Sequence, residues 1–139
     1  MAILFFEEDI KFSLNQKNKY KKWLKEVAKK ENYQIQELNY IFCSDEYLFQ
    51  INQQYLNHQT YTDIITFDNS EKPKIIEGDI FISIERITEN ALREKNSFEK
   101  EILRVMSHGL LHLMGYKDKN PKEKTIMSQR EDESISLFE

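Results

Sequence analysis

The chain has 139 residues and a mass of 16.8 kDa, with a formal charge of -4, 40% hydrophobic and 32% charged residues; these values fit one folded domain over residues 1–139 and exclude an intrinsically disordered protein. Its single cysteine, Cys43, excludes an intrachain disulfide and a multi-thiolate zinc motif drawn from one chain. The acidic balance argues against a protein that coats nucleic acid with a broad basic field.

The opening MAILFFEEDIKF has neither a basic leader nor a long apolar segment, so export and membrane insertion are not expected and a cytoplasmic location is. Residues 3–6 suit a short strand, and residues 9–15 a turn region or a second extended piece. Between residues 15 and 31, Tyr20, Trp23, Leu24, Val27 and Ala28 recur at three and four, the signature of an amphipathic helix. The lysines from Lys17 to Lys30 then read as its solvated face.

Residues 35–43 alternate through Leu38, Tyr40 and Phe42, a strand pattern, after which Ser44 or Asp45 caps a helix with Leu48, Ile51 and Tyr55 inward. Residues 64–67 and 78–83 are β-branched and aromatic, and the turn composition of residues 69–73 between them predicts an antiparallel hairpin. Ile84, Ile87 and Ala91 mark a helix ending before Asn96, and Ser97 caps the next. Asn120, Pro121 and Glu123 open a closing helix that buries Ile126, Met127, Ile135 and Phe138. The sum is an α+β fold: one mixed sheet of about four strands, with the early strands parallel and the hairpin antiparallel at an edge, packed with about five helices.

The helix over residues 98–114 carries the chemistry. His108 and His112 stand one turn apart, roughly 6 Å, on a strip that also holds Glu101, close enough for both imidazoles to meet one metal ion. Gly115 can stop the helix in a left-handed conformation and return Asp118 toward the pair. An HxxxHxxxxxD set of three ligands leaves one coordination position open, as catalytic zinc requires, and places the metal site at the end of a central helix. Histidines satisfied by protein partners, with Asp118 as a turn residue, is the alternative reading. Gly109 costs about 1 kcal/mol relative to Ala inside a helix, which points to close approach of another segment. It also replaces the Glu of HExxH, so the general base of a zinc peptidase is absent.

HGLLHLMGY at 108–116, together with TDIITF at 62–67 and GDIFIS at 78–83, resembles the bacterial rRNA maturation factors, the YbeY-type metal-dependent endoribonucleases. The resemblance runs over effectively the whole chain. It implies a compact α+β domain with one zinc ion (Zn2+) in a cleft, cutting single-stranded RNA in 3'-end maturation of the small-subunit rRNA precursor and in ribosome quality control, with the ribosome or its small subunit as partner and no DNA. His108 and His112 match the first two metal ligands. The family closes its motif with Gly-Tyr-Asp-His where this chain reads GYKDK, which puts Asp118, a competent zinc ligand, at the third position. The family's cleft arginine follows a Leu-Asn pair; here the pair is Ile51 and Asn52 and the arginine's position holds Leu56, with His58 nearby as a candidate replacement.

Tyr61 and Tyr116 flank the site motifs and are candidates for stacking on unpaired bases, while Asn52 and Thr62 are candidates for binding phosphate. No residue is assigned as general base. Two other functions fit the same residues: a ribosome-associated RNA-binding protein whose metal is structural, and a metal-dependent hydrolase of a small substrate.

Overall fold

The computed structural model describes residues 2–56 and 62–138. Its elements follow the expected order: β1 (Ala2–Glu7), α1 (Lys17–Lys30), β2 (Gln34–Cys43), α2 (Asp45–Leu56), β3 (Ile64–Asp68), β4 (Ile75–Ser83), α3 (Ile84–Arg93), α4 (Phe98–Leu113) and α5 (Pro121–Ser136). One four-stranded sheet has the order β1-β2-β4-β3. β1 and β4 both run parallel to β2, and β3 pairs antiparallel with β4 at the edge, as the hairpin pattern required.

Strand alternation divides the core. Leu38, Tyr40 and Phe42 of β2 with Ile76, Ile80 and Ile82 of β4 face the main core, where they meet Trp23 and Leu24 of α1 and Ile102, Met106 and Leu110 of α4. On the opposite face Cys43 and Ile65 pack with Leu48 and Ile51 of α2 in a smaller cluster. Burial of side chains of this size supplies about 1.5–3 kcal/mol each before entropy is charged, so the helix–sheet contact dominates the fold. Polar anchors tie the layers: the Tyr40 hydroxyl donates to the Met106 carbonyl at 2.8 Å, and Trp23 Nε1 donates to the Ser134 carbonyl at 2.6 Å.

The caps act where the sequence placed them. Ser44 Oγ accepts from the Tyr47 N–H, Ser97 from the Lys100 N–H, and Asn120 with Glu123 completes a capping box behind Pro121. Of the two alternatives for residues 9–15 the turn region holds: they form no strand, Leu14 is buried and Phe12 packs its ring on Phe42 and Phe98. Other expectations need correction. Tyr55 does not point inward but is 65% exposed, with its ring edge-on to Phe67, because the buried stripe of α2 ends at Ile51 and Asn52. Ile126 is half-buried, since the inward line of α5 runs through Met127, Glu131 and Ser134. Among the described residues no helix is long and apolar enough to cross a membrane.

Candidate metal centre

The centre is set by how closely α4 approaches the sheet. A Cβ on Gly109 would lie 2.9 Å from Ile64 Cδ1 and 3.0 Å from two atoms of Ile80. Only a hydrogen fits there, which accounts for a glycine inside a helix despite its propensity cost. With Gly109 against β3 and β4, the adjoining strip of Arg104, His108 and His112 is left half-buried rather than sealed in the core.

α4 ends in a Schellman turn. The Gly115 N–H bonds the His112 carbonyl and the Tyr116 N–H bonds the Leu111 carbonyl, each at 3.0 Å, with Gly115 at φ +96°. This reversal does two things for the site. It aims the Tyr116 carbonyl at His112 Nδ1, 2.9 Å away, and it brings Asp118 back over the histidines.

Three donor atoms converge. His108 Nε2 and His112 Nε2 are 2.9 Å apart, and Asp118 Oδ2 lies 3.2 Å from the first and 3.4 Å from the second. Ligands 2.0–2.1 Å from a tetrahedral zinc stand roughly 3.3 Å from one another, so the triangle has the size of three corners of that tetrahedron. The Nδ1 atoms fix the tautomers. Nδ1 of His108 meets Glu131 Oε2 at 2.5 Å and Nδ1 of His112 meets a carbonyl oxygen, both acceptors, so each Nδ1 carries the proton and each Nε2 presents its lone pair. Two lone pairs and a carboxylate oxygen aimed at one point repel unless a proton or a metal cation sits among them. His108, His112 and Asp118 therefore form a cluster able to coordinate a metal ion. Their side chains keep 21%, 26% and 37% of their exposure, which leaves a face of the triangle open.

The triangle borders a cavity of about 240 Å³ whose wall includes Asp63, Glu101, Arg104 and Glu131. Burial disfavours the His108 cation, but the Glu131 hydrogen bond and the charges of Glu131, Asp118 and Asp63 outweigh it and hold the pKa above the ordinary imidazole value. Glu131 uses its second oxygen, Oε1, to accept from Arg104 Nη1 at 2.9 Å, and Arg104 Nη2 donates to Asp132 at 2.8 Å.

Sequence reasoning missed Glu131 and Arg104. The available signal was a carboxylate on the inward line of α5, four residues after Met127, where a charge is costly without a partner. Of the candidate RNA-contacting residues, Tyr116 adjoins the centre through its backbone, and its hydroxyl donates to Glu31 at 2.7 Å. Thr62 bonds the Ile64 carbonyl at 3.3 Å, next to the cavity wall. Asn52 is 3% exposed on α2, away from the cavity lining, and Leu56 is 40% exposed. His58 and Tyr61 lie outside the described residues.

Comparison with known proteins agrees with this geometry. The family profile described as Endoribonuclease YbeY matches residues 3–139. An Endoribonuclease YbeY of Cytophaga hutchinsonii is 57% identical over 98% of this chain and 95% of its own length, and that of Flavobacterium psychrophilum is 48% identical over 98% and 96%. The solution structure of TM1509 from Thermotoga maritima superposes with a TM-score of 0.69 at 28% identity, covering 99% of this chain and 89% of that one. Matched from end to end in sequence and in fold, the chain belongs to the endoribonuclease YbeY family.

Proposed function

We propose that the chain is a zinc-dependent endoribonuclease that cuts single-stranded RNA in the 3'-end maturation and quality control of the small ribosomal subunit, working in the cytoplasm on the rRNA precursor or the assembling ribosome. The observation that carries this reading is the triangle of His108 Nε2, His112 Nε2 and Asp118 Oδ2 opening beside a cavity. Family membership supplies the reaction class.

Two imidazoles and one carboxylate suit zinc better than an all-oxygen cation such as magnesium. Bound there, the metal would act as a Lewis acid, activating water or polarising a phosphodiester oxygen and stabilising the negative charge that develops. The chain's part is to hold the donors rigidly. Glu131 and the Tyr116 carbonyl lock both rings, and the Schellman turn fixes Asp118, so little reorganisation is needed when substrate arrives. Thr62 and Tyr116, on the segments flanking the centre, are proposed RNA contacts, along with His58 and Tyr61 in the sequence after α2; Asn52, buried in α2, is set aside as a phosphate contact.

The test is cleavage of unstructured RNA and of small-subunit rRNA precursor by zinc-loaded wild type and by His112→Ala at matched folding. Wild type is expected to cut both substrates and the variant neither, with the variant's zinc content reduced. If wild type cuts no RNA while His112→Ala binds RNA equally well, the protein is an RNA-binding module. Zinc content unchanged in the variant would remove the metal site itself.

A further inference from the structure

The cavity beside the metal centre is poor in positive charge. Asp63, Glu101, Asp118 and Glu131 all contribute to its wall, and a phosphodiester chain adds one negative charge per nucleotide. Besides the imidazole of His108, Arg104 supplies the only cationic side chain among the described residues that line it. The lysines after the Schellman turn, Lys117 and Lys119, are exposed and lie outside this wall.

Arg104 is held as a surface arginine seldom is. Nη1 donates to Glu131 Oε1 at 2.9 Å and Nη2 to Asp132 Oδ1 at 2.8 Å, while its side chain keeps 26% exposure. These bonds use two of the five N–H groups a guanidinium offers and leave the remainder for a ligand. Glu131 grips Arg104 with one oxygen and His108 with the other, so the guanidinium sits at a fixed offset from the metal ligands. Positions 104 and 108 are one helical turn apart, about 6 Å along the axis.

We propose, building on the endoribonuclease reading, that Arg104 binds the RNA phosphate adjacent to the one at the metal centre, with Glu131 and Asp132 pre-orienting its planar fork. A fork prepaid in this way loses little side-chain freedom on binding, and guanidinium pairs with phosphate oxygens in bidentate geometry. The two bound carboxylates do double duty: they anchor the arginine and have their own charge offset by it.

The experiment uses full-length, zinc-loaded protein and a fluorescent single-stranded 2'-O-methyl oligonucleotide, with binding measured over a range of salt at matched zinc occupancy. Arg104→Gln should bind about tenfold more weakly, as expected for loss of a charge-assisted contact. Its plot of log affinity against log salt should be shallower by about 0.7, one single-strand phosphate contact. Arg104→Lys should retain the slope and lose part of the affinity, with KM for cleavable RNA raised more than kcat is lowered. If Arg104→Gln loses zinc affinity but keeps wild-type RNA affinity and salt slope once loaded, Arg104 only positions Glu131 and the proposal is overturned. Should Arg104→Gln fail to fold, the Lys variant decides, and an unchanged KM overturns the assignment. Wild type that neither binds nor cuts RNA would bring down the function itself, a result distinct from failure of Arg104 alone.

Discussion

Nδ1 of His108 stands 2.5 Å from Oε2 of Glu131, a carboxylate that is almost fully buried on α5. The contact fixes both ring orientation and tautomer, and it strengthens the Nε2 donor opposite. Glu131→Gln keeps the volume but removes the charge, and its amide can offer Nδ1 a weaker acceptor. Metal affinity, measured by competition with a chromophoric chelator, is expected to fall about 10–100-fold. Unchanged affinity would mean that His108 is oriented by packing alone.

The fold was legible wherever periodicity or capping chemistry was strong. Tyr20, Trp23, Leu24 and Val27 defined α1, and Asn120 with Glu123 fixed the start of α5 to the residue. Even the mixed sheet followed, because strand–helix alternation demands crossovers and the short turn demands a hairpin. The metal triangle was legible because its ligands are local, two on one helix and one just beyond its stop. Glu131 and Arg104 were hidden for the opposite reason. They are 27 residues apart and meet only through the packing of α5 on α4, a tertiary fact with no local pattern. Tyr55 misled because an aromatic residue at helical spacing looks like core, whereas here it lies at the rim of an open groove beside Phe67 and stays 65% exposed.

In the proposed metal site Asp118 is the anionic third donor, at the position where the resemblance implies a histidine. Replacing a carboxylate by a neutral imidazole leaves more positive charge on the ion. Asp118→His is therefore expected to keep the metal and to shift the rising limb of the pH–rate profile toward lower pH. Asp118→Ala, with two donors left, should lose most of the metal and at least about 100-fold in kcat/KM, since ordered multidentate ligation is broken. A profile that does not move in Asp118→His would place Asp118 outside the coordination sphere.

Gly109 lies between the two histidines and against Ile64 and Ile80, so its substitution tests the coupling of packing to ligand geometry. Alanine would gain about 1 kcal/mol of helix propensity, yet overpacking at such contacts costs about 1–3 kcal/mol. Gly109→Ala should be mildly destabilised and Gly109→Val severely so, measured by urea unfolding. Metal affinity should fall with stability, because α4 must lift from the sheet and carry His108 and His112 with it. A stable Gly109→Val variant with full affinity would show that this close approach does not position the centre.

Glu101 offers a test by pH that avoids the ligands themselves. It is 6% exposed on α4, and burial raises its pKa, with Asp63 and Glu94 adding to the rise and Arg104 and Asn96 opposing it. The folded protein thus holds this proton to higher pH than the unfolded chain, whose glutamate titrates near about 4.3. Below that value both states are protonated and the group's contribution to stability is complete; as pH climbs through the raised folded pKa the contribution is lost. Glu101→Gln fixes the neutral form, so the variant should match wild type near about pH 4 and become the more stable of the two at about pH 7. Paired urea titrations at the two pH values check this. A stability difference that stays constant between them would show that burial of Glu101 carries no electrostatic cost, and that its place in the cavity wall is maintained by partners strong enough to keep it charged.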